Sequence, residues 1–144
     1  MIRISGQAVS GGNATVPVDA PIQPAQAFVD NIEAATFAIP NTGTLVLSNQ
    51  EITYIKPGSA LDGFNLYAYV RFVASLGGVP SILLDGNKIT NTNAILAAIA
   101  AVVVDNSVSG GTLDLSGGTN AAPTGQGLID KATLESNGWT VATN

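Results

Sequence analysis

Short runs of alternating apolar residues recur along this chain, and each is followed by a turn and a longer segment with helical spacing. Three of the runs resemble one another; they are residues 44–52, 81–89 and 112–118. The middle run follows the order Leu-x-Leu-x-x-Asn-x-Ile, and its marked places hold Ile82, Leu84, Asn87 and Ile89. This self-similarity indicates a stacked repeat, because one such unit cannot bury its apolar face alone.

The order of these segments predicts an α/β fold whose strands are joined through helices. The predicted strands are residues 44–48, 81–85, 112–116 and 139–142, and the predicted helices are residues 62–76, 93–104 and 126–136. The equivalent strand positions are Leu45, Ile82, Leu113 and Trp139, which are 37, 31 and 26 residues apart. Strands connected through helices are expected to pair in parallel, with right-handed crossovers.

The first strand is apolar on both faces, since Leu45 and Leu47 alternate with Val46. This pattern is typical of a strand covered on both sides, as in many parallel sheets. The asparagine of the middle run has no counterpart in the other two, where Gln50 and Gly118 stand at the corresponding positions.

The helix at residues 62–76 is expected to begin at an Asp62 N-cap and to end before Gly77, because glycine commonly follows the last turn of a helix. Its inward stripe is predicted to consist of Leu66, Val70, Val73 and Leu76.

The helix at residues 93–104 has almost no polar face, and two interpretations of it remain open. In the first, small side chains fill its solvent side; these are Ala97, Ala98, Ala100 and Ala101. In the second, the helix packs against another protein, because a helix that is apolar all round is usually buried on several sides.

Residues 1–24 are predicted to form an extended N-terminal arm in front of a domain of residues 25–144. Prolines at positions 17, 21 and 24 disfavour a regular helix in the arm. The arm is expected to cap the sheet of its own chain, to pair with a neighbouring chain, or to remain a loose tail. Its candidate partner-binding residues are Ile2, Ile4, Val16 and Val18. A short helix is predicted at residues 25–37.

Composition excludes several classes of function. Hydrophobic residues make up 46% of the chain and charged residues only 10%, which argues against disorder. The net charge of −5 and the five scattered basic residues argue against a nucleic-acid partner, because such binding needs a basic surface. No secretion signal is predicted at residues 1–10, and the longest apolar run, residues 94–104, is too short to span a membrane.

The sequence contains few residues that could act in catalysis or bind a metal. The chain has no cysteine and no histidine, so thiolate metal sites and the usual general base are absent from the sequence. The segment Gly125-Gln-Gly127 is interpreted as the entry to a helix rather than a phosphate loop, and Asp85-Gly-Asn87 as a turn rather than a calcium loop. Asp114 is expected to pair with a lysine or to lie on the polar side of its strand. We therefore predict a non-enzymatic protein without a cofactor.

The C-terminal third of the chain resembles the end of short leucine-rich-repeat-like proteins of bacteria and tailed phages. The segments that carry the resemblance are residues 93–98, 109–118, 119–125 and 138–144. The resemblance implies a small leucine-rich-repeat-like stack, and proteins with such endings include phage virion proteins and bacterial surface proteins.

Two functions follow as expectations. The first is a structural protein of a phage virion, most simply a capsid decoration or cement subunit that binds the major capsid protein or itself. The second is a recognition module of a phage tail or a bacterial cell surface, binding a protein or a glycan. Exposed aromatic residues on the sheet would favour the second; the only cluster is Tyr54, Phe64, Tyr67 and Tyr69, most of which are expected in the core.

Overall fold

The computed structural model describes residues 14–17, 35–38, 44–62 and 65–144. These residues form an α/β fold with two parallel sheets. The smaller sheet pairs β1 (Ala14–Pro17) with β2 (Ala35–Ala38), and Val16 lies opposite Phe37 in its register.

The strand β2 corrects one prediction. A helix was expected to extend to Phe37, but residues 35–37 are extended and pair with β1. Val16 and Phe37 are both residue types that favour strands, and the backbone hydrogen bonds of the strand pair outweigh a weak local helical pattern. The remainder of the predicted helix, residues 25–34, lies outside the described residues.

The larger sheet has four parallel strands in the order in which they occur along the chain. Its elements are β3 (Thr44–Val46), α1 (Leu66–Ser75), β4 (Ser81–Leu83), α2 (Thr92–Asn106), β5 (Gly111–Leu115), α3 (Gln126–Ser136) and β6 (Trp139–Thr143). The prediction of parallel strands alternating with helices is therefore confirmed. We refer to each of β3, β4 and β5, together with the loop and helix that follow it, as one unit.

The register confirms three of the four equivalent strand positions and corrects the fourth. Leu45 pairs with Ile82, and Ile82 pairs with Leu113. Leu113 then pairs with Val141 rather than with Trp139. The indole of Trp139 lies beside Gly111, where an added Cβ would come within 2.7 Å of the ring. A glycine opposite the large side chain therefore sets this register.

The strands bury one face and leave the other partly open. Leu45 and Leu47 are buried, whereas Val46 between them is partly exposed. The same alternation occurs in β4 and β5. The expectation that the first strand is covered on both faces is met only in part, because Val46 is partly buried; the second face of the sheet is lined mainly by small polar side chains, which are compatible with water.

Helix α1 begins four residues later than predicted. Its N-cap is Asn65 rather than Asp62, and the Asn65 Oδ1 accepts a hydrogen bond from the Ala68 N–H at 2.9 Å. Of the predicted inward stripe, Leu66, Val70 and Val73 are buried, but Leu76 follows the helix and is 63% exposed. Tyr69 takes up core volume on this side of the helix instead.

The alanines of α2 differ in burial according to their position on the helix. Ala97 and Ala101 lie on the solvent side, whereas Ala98 and Ala100 are buried. Alanines thus fill the outer face of α2 only in part. Leu96 and Ile99 of this helix belong to the core, and so do Leu84 and Leu115 of the sheet, all four being fully buried.

Asparagine side chains connect successive units. The buried amide of Asn87 donates to Leu47 O and Leu84 O at 2.9 Å, and its Oδ1 accepts from the N–H groups of Gln50 (2.9 Å) and Ile52 (3.0 Å). One side chain therefore satisfies four backbone groups that belong to two neighbouring loops. Buried backbone groups require such partners, because an unpaired one is costly.

The third unit contains the same connection, which corrects the assignment of Gly118 to that place. Asn120, two residues later, is buried; its Oδ1 accepts from Ile89 N–H at 2.9 Å and its amide donates to Leu84 O and Leu115 O. Gly118 has a positive φ and lies against the preceding loop, where an added Cβ would be 2.3 Å from Asn87 O. The loop of the third unit is longer than that of the second at this close approach. Its asparagine therefore lies two residues further from the strand. Asn144, which follows β6, makes a similar contact with the preceding loop: its Oδ1 accepts from the Gly117 N–H at 2.6 Å.

Candidate interaction surfaces

The partly open face of the larger sheet is the first candidate surface, and we call it the open sheet face. It consists of Thr44, Val46, Ser48, Ser81, Leu83, Asp85, Thr112, Asp114, Ser116, Thr140 and Ala142. One row across the four strands carries only hydroxyl side chains: Thr44, Ser81, Thr112 and Thr140. Hydroxyl groups both donate and accept hydrogen bonds, so this row is suited to polar partners.

Two carboxylates lie on the open sheet face, and each is held by a serine. The Ser48 hydroxyl donates to Asp85 Oδ1. Asp114 Oδ1 accepts from the backbone N–H of Ser116 at 3.0 Å and from its hydroxyl at 2.6 Å. Asp114 thus lies on the polar side of its strand, the second of the two expected places. The four side chains form an acidic, hydrogen-bonded area without a basic residue among the members of this face.

The described members of the aromatic cluster, Tyr54, Tyr67 and Tyr69, do not lie on the open sheet face. Tyr67 and Tyr69 are buried in the core, as expected, and Tyr54 is 48% exposed; Phe64 lies outside the described residues. The Tyr67 hydroxyl donates to Asp105 Oδ2 at 2.9 Å, which connects α1 to the end of α2. Burial raises the pKa of Tyr69 well above its ordinary value, because the phenolate would lose its hydration.

The helical side provides the second candidate surface, on which large apolar side chains are exposed. At the end of α1 and in the turn after it, Phe72 is 38%, Leu76 63% and Val79 58% exposed. On α3, Leu128 and Ile129 are adjacent and 54% and 58% exposed. Val104 of α2 is 60% exposed. We call these six residues the exposed apolar set.

Charged residues adjoin three members of the exposed apolar set in sequence: Arg71 precedes Phe72, Asp105 follows Val104 and Asp130 follows Ile129. Arg71 is the charged neighbour of Phe72 in sequence, and its guanidinium lies 5.9 Å from the centroid of the Tyr67 ring. An ion pair among the described residues is distant in sequence from this set: Lys88 Nζ donates to Glu51 Oε1 at 2.9 Å. This hydrogen bond and the charge of Lys88 lower the pKa of Glu51. The pair is exposed and screened by solvent, so it contributes little to stability.

The predicted partner-binding residues of the arm fall mostly outside the described residues. Ile2, Ile4 and Val18 are among those not described. Val16 lies in β1, where its backbone belongs to a strand that pairs with β2 of the same chain. At this position the arm is therefore engaged within its own chain, in a sheet separate from the larger one.

The two loop motifs behave as the sequence predicted. Gly125 has a φ of 47° and directly precedes α3, so Gly125-Gln-Gly127 is a helix entry. Gly86 has a φ of 70°, and Asp85-Gly-Asn87 forms the turn after β4. Within the described part of the chain, no group of three acidic, histidine or cysteine residues is placed to hold a metal ion. No helix in that part has the length and apolar character needed to cross a membrane.

Comparison with known proteins yields no matching family model, no matching curated protein and no matching solved structure.

Proposed function

We propose that this chain is a short leucine-rich-repeat-like stack that serves as a non-enzymatic structural protein of a phage virion. In its simplest form it is a capsid decoration or cement subunit whose partner is the major capsid protein or a second copy of itself. Two sequence features support the proposal: the resemblance of residues 93–144 to such proteins and the low content of charge. The recurring asparagine contacts of Asn87 and Asn120 support the repeat interpretation.

The exposed apolar set is the observation that carries the proposal. Leu128 and Ile129 are adjacent, each more than half exposed, and lie on a helix whose partners in the described residues are α2 and β6. Adjacent large apolar side chains that are exposed on a surface are typical of protein interaction sites. A stable interface buries roughly 800 Å² on each partner, so Leu128 and Ile129 would supply only part of its apolar area.

In this proposal the arm still contributes to binding, but through residues 1–12 only. Val16 belongs to β1, so removal of residues 1–20 would also remove the partner of β2. Removal of residues 1–12 leaves β1 intact, and of the four candidate partner-binding residues it removes only Ile2 and Ile4. An extended segment can add to a sheet edge of a capsid partner through main-chain hydrogen bonds. We expect the shortened chain to fold and to bind shells more weakly.

The docking prediction concerns the double substitution Leu128→Ser with Ile129→Ser. We expect it to weaken binding to shells assembled from the proposed partner, a phage major capsid protein, by at least about tenfold, because two apolar anchors are lost. Since both side chains are exposed, the free energy of unfolding should change by less than about 1 kcal/mol. The measurement is co-sedimentation with the shells, with circular dichroism to confirm folding.

A matched control is the double substitution Asp85→Asn with Asp114→Asn, which removes the charge of the open sheet face and keeps the side-chain size. If the chain is a decoration subunit bound through its helices, this variant should sediment with shells like the unchanged chain. Loss of binding in this variant, with normal binding of the Leu128/Ile129 variant, would contradict the proposed docking side.

The second candidate function is a recognition module of a phage tail or a bacterial cell surface. The open sheet face favours it, because its row of four hydroxyls and its two carboxylates present directed hydrogen-bonding groups on a rigid sheet. The absence of an aromatic side chain among the members of that face argues against a glycan platform and leaves a polar protein partner.

A further inference from the structure

The strand β6 forms one edge of the larger sheet. In the sheet order it follows β5 and has no second neighbour among the described residues. An edge strand presents a row of backbone N–H and C=O groups that another strand can bind. In the described part of the chain, one side of β6 therefore offers its backbone to a further strand.

The hydrogen bonds between β4 and β5 show which backbone groups of β5 face β6. The Thr112 N–H donates to Pro80 O at 3.0 Å, and Asp114 O accepts from the Leu84 N–H at 2.8 Å. Thr112 and Asp114 therefore bond toward β4. Leu113 lies between them and bonds toward β6, because the backbone groups of successive residues point to opposite edges of a strand.

The register then identifies the backbone groups of β6 that face outward. Leu113 is paired with Val141. In a parallel pair the bonds of Leu113 reach the residues on either side of that position, which are Thr140 and Ala142. The alternate residues of β6 direct their N–H and C=O groups to the open edge; they are Trp139, Val141 and Thr143.

The strand β6 lacks the features that usually keep an edge from pairing. Natural edge strands are commonly protected by a charged side chain, a proline or a bulge. The five residues of β6 include no charge and no proline, and their register with β5 runs without interruption. Val141 is 8% exposed, whereas Leu113 and Leu115 are fully buried. The core side of β6 is therefore covered less completely than that of β5.

The outward backbone groups of β6 are complementary to those of a second β6. Val141 is the middle one of the three outward residues. When two such strands run antiparallel about this position, Val141 lies opposite Val141 of the second copy, and Trp139 lies opposite Thr143. Each is a hydrogen-bonded pair, in which both N–H groups find a carbonyl. One strand sequence therefore satisfies both sides, as a two-fold interface requires.

Helix α3 presents an apolar side chain beside the same edge. Lys131 Nζ donates to Thr143 Oγ1 at 3.3 Å, so Lys131 lies on the side of α3 next to β6. Leu128 is three residues earlier and Glu135 four residues later, which places both on that side of the helix. Leu128 is 54% exposed. Two antiparallel copies of this side bring Lys131 of one toward Glu135 of the other, so their charges are complementary.

We propose that β6 pairs with β6 of a second copy of this chain, antiparallel about Val141, so that the two larger sheets become one continuous sheet. The inference rests on the proposed function in that a second copy is one of the partners named there. A stable interface buries roughly 800 Å² on each partner, more than the edge of a five-residue strand provides, so α3 contributes through Leu128. The pairing closes with two copies, whereas pairing of β6 with β3 of another copy would leave free edges and continue into a fibre.

The first test is sedimentation equilibrium of the full chain from micromolar to millimolar concentration. A reversible change from the mass of one chain to that of two is expected, because the strand pair forms and dissociates with concentration. The mass of one chain throughout this range would overturn the proposal.

A pair of substitutions on α3 locates the interface. Leu128→Glu places a carboxylate toward the α3 of the second copy and should weaken the dimer by at least about tenfold. Ile129→Glu is the matched control: Ile129 has a similar exposed fraction, 58%, but the next position of a helix lies on a different side. It should leave the dimer unchanged, and equal effects of the two substitutions would overturn the proposed surface.

The register is tested with single cysteines, because the chain itself contains none. In the proposed pair Thr140 lies opposite Ala142 of the second copy, with the Cα atoms roughly 4.5 Å apart, which is within the range of a disulfide. The two Thr140 residues are diagonal neighbours, roughly 7–8 Å apart. Under mild oxidation, a mixture of Thr140→Cys and Ala142→Cys chains should form the mixed disulfide, and Thr140→Cys chains alone should form little. Equal crosslinking in both samples would overturn the register.

Hydrogen exchange separates strand pairing from other contacts. The amide protons of Val141 and Thr143 should exchange more slowly as the concentration of the chain rises, whereas those of Thr140 and Ala142, which already bond to β5, should change little. Exchange at Val141 that does not depend on concentration would overturn the pairing.

One deletion and one comparison separate the second copy from other occupants of the edge. A chain without residues 1–12 should still form the dimer; loss of the dimer would assign the edge to the arm and overturn the proposal. A monomeric chain that still sediments with shells would overturn this inference and leave the proposed function intact. A dimer that does not bind shells would support this inference and contradict the proposed function.

Discussion

Replacement of Asn87 by alanine is expected to lower the free energy of unfolding by at least about 3 kcal/mol. The side chain is fully buried and serves four backbone groups: the N–H groups of Gln50 and Ile52 and the carbonyls of Leu47 and Leu84. Leu84 O keeps the Asn120 amide as a partner at 3.0 Å, so the substitution removes the Asn87 bond from the other three without that compensation. Each buried group left without a partner costs roughly 1–3 kcal/mol, although water entering the space would recover part of the loss. Urea denaturation followed by circular dichroism measures the difference.

The control for this prediction is Asn93→Ala. Asn93 also connects two units, through Thr124, but it is exposed, so water can replace its hydrogen bonds. Its loss should cost less than about 1 kcal/mol. Equal losses for the two variants would mean that the buried asparagine contacts do not hold the units together.

The second large effect is expected for Leu84→Ala, which should cost roughly 2–5 kcal/mol. Leu84 has no exposed surface and lies in the core between the sheet and the helices, so the substitution removes apolar contacts and leaves a cavity. The preceding residue provides a matched control, because Leu83 points to the open sheet face and is partly exposed.

Leu83→Ala should therefore destabilise the chain clearly less than Leu84→Ala in the same denaturation experiment. A loss below about 0.5 kcal/mol for Leu84→Ala, or a larger loss for Leu83→Ala, would show that the two faces of β4 have been assigned the wrong way round.

The parts of the fold that follow from local apolar periodicity were predictable. Leu84 and Leu115 lie in strands that alternate between a buried and a partly exposed face, and Leu96 and Ile99 follow helical spacing. The parallel pairing followed from the helical connections, whose handedness and length leave few alternatives. These features depend on neighbours in sequence, which a single chain reveals directly.

Features set by contacts outside the apolar pattern were not predictable in the same way. Asp62 is a good capping type, but Asn65 caps α1, and its amide also donates to Ser59 O within the preceding loop at 3.1 Å. Gly118 occupies the expected place of an asparagine, yet its backbone approaches the loop of the preceding unit closely, and Asn120 takes that role. The first feature depends on the shape of one loop and the second on a distance between two units.

The candidate surfaces were also predictable only in part. Hydroxyl-rich strands are visible in the sequence, but the alignment of Thr44, Ser81, Thr112 and Thr140 in one row appears only when the register is known. Likewise, Asn91 and Asn93 are of a residue type that commonly caps helices. In the structure both side chains bind loops of neighbouring units instead, which the sequence does not show.

The measurement that tests the functional proposal most directly is peptide mass spectrometry of purified phage particles from cells that produce this chain. A decoration or cement subunit should be found in the particles in many copies, in a fixed ratio to the major capsid protein, and should remain through a density gradient. Recovery of the chain only from the cell lysate or the cell surface, with none in the purified particles, would contradict the account.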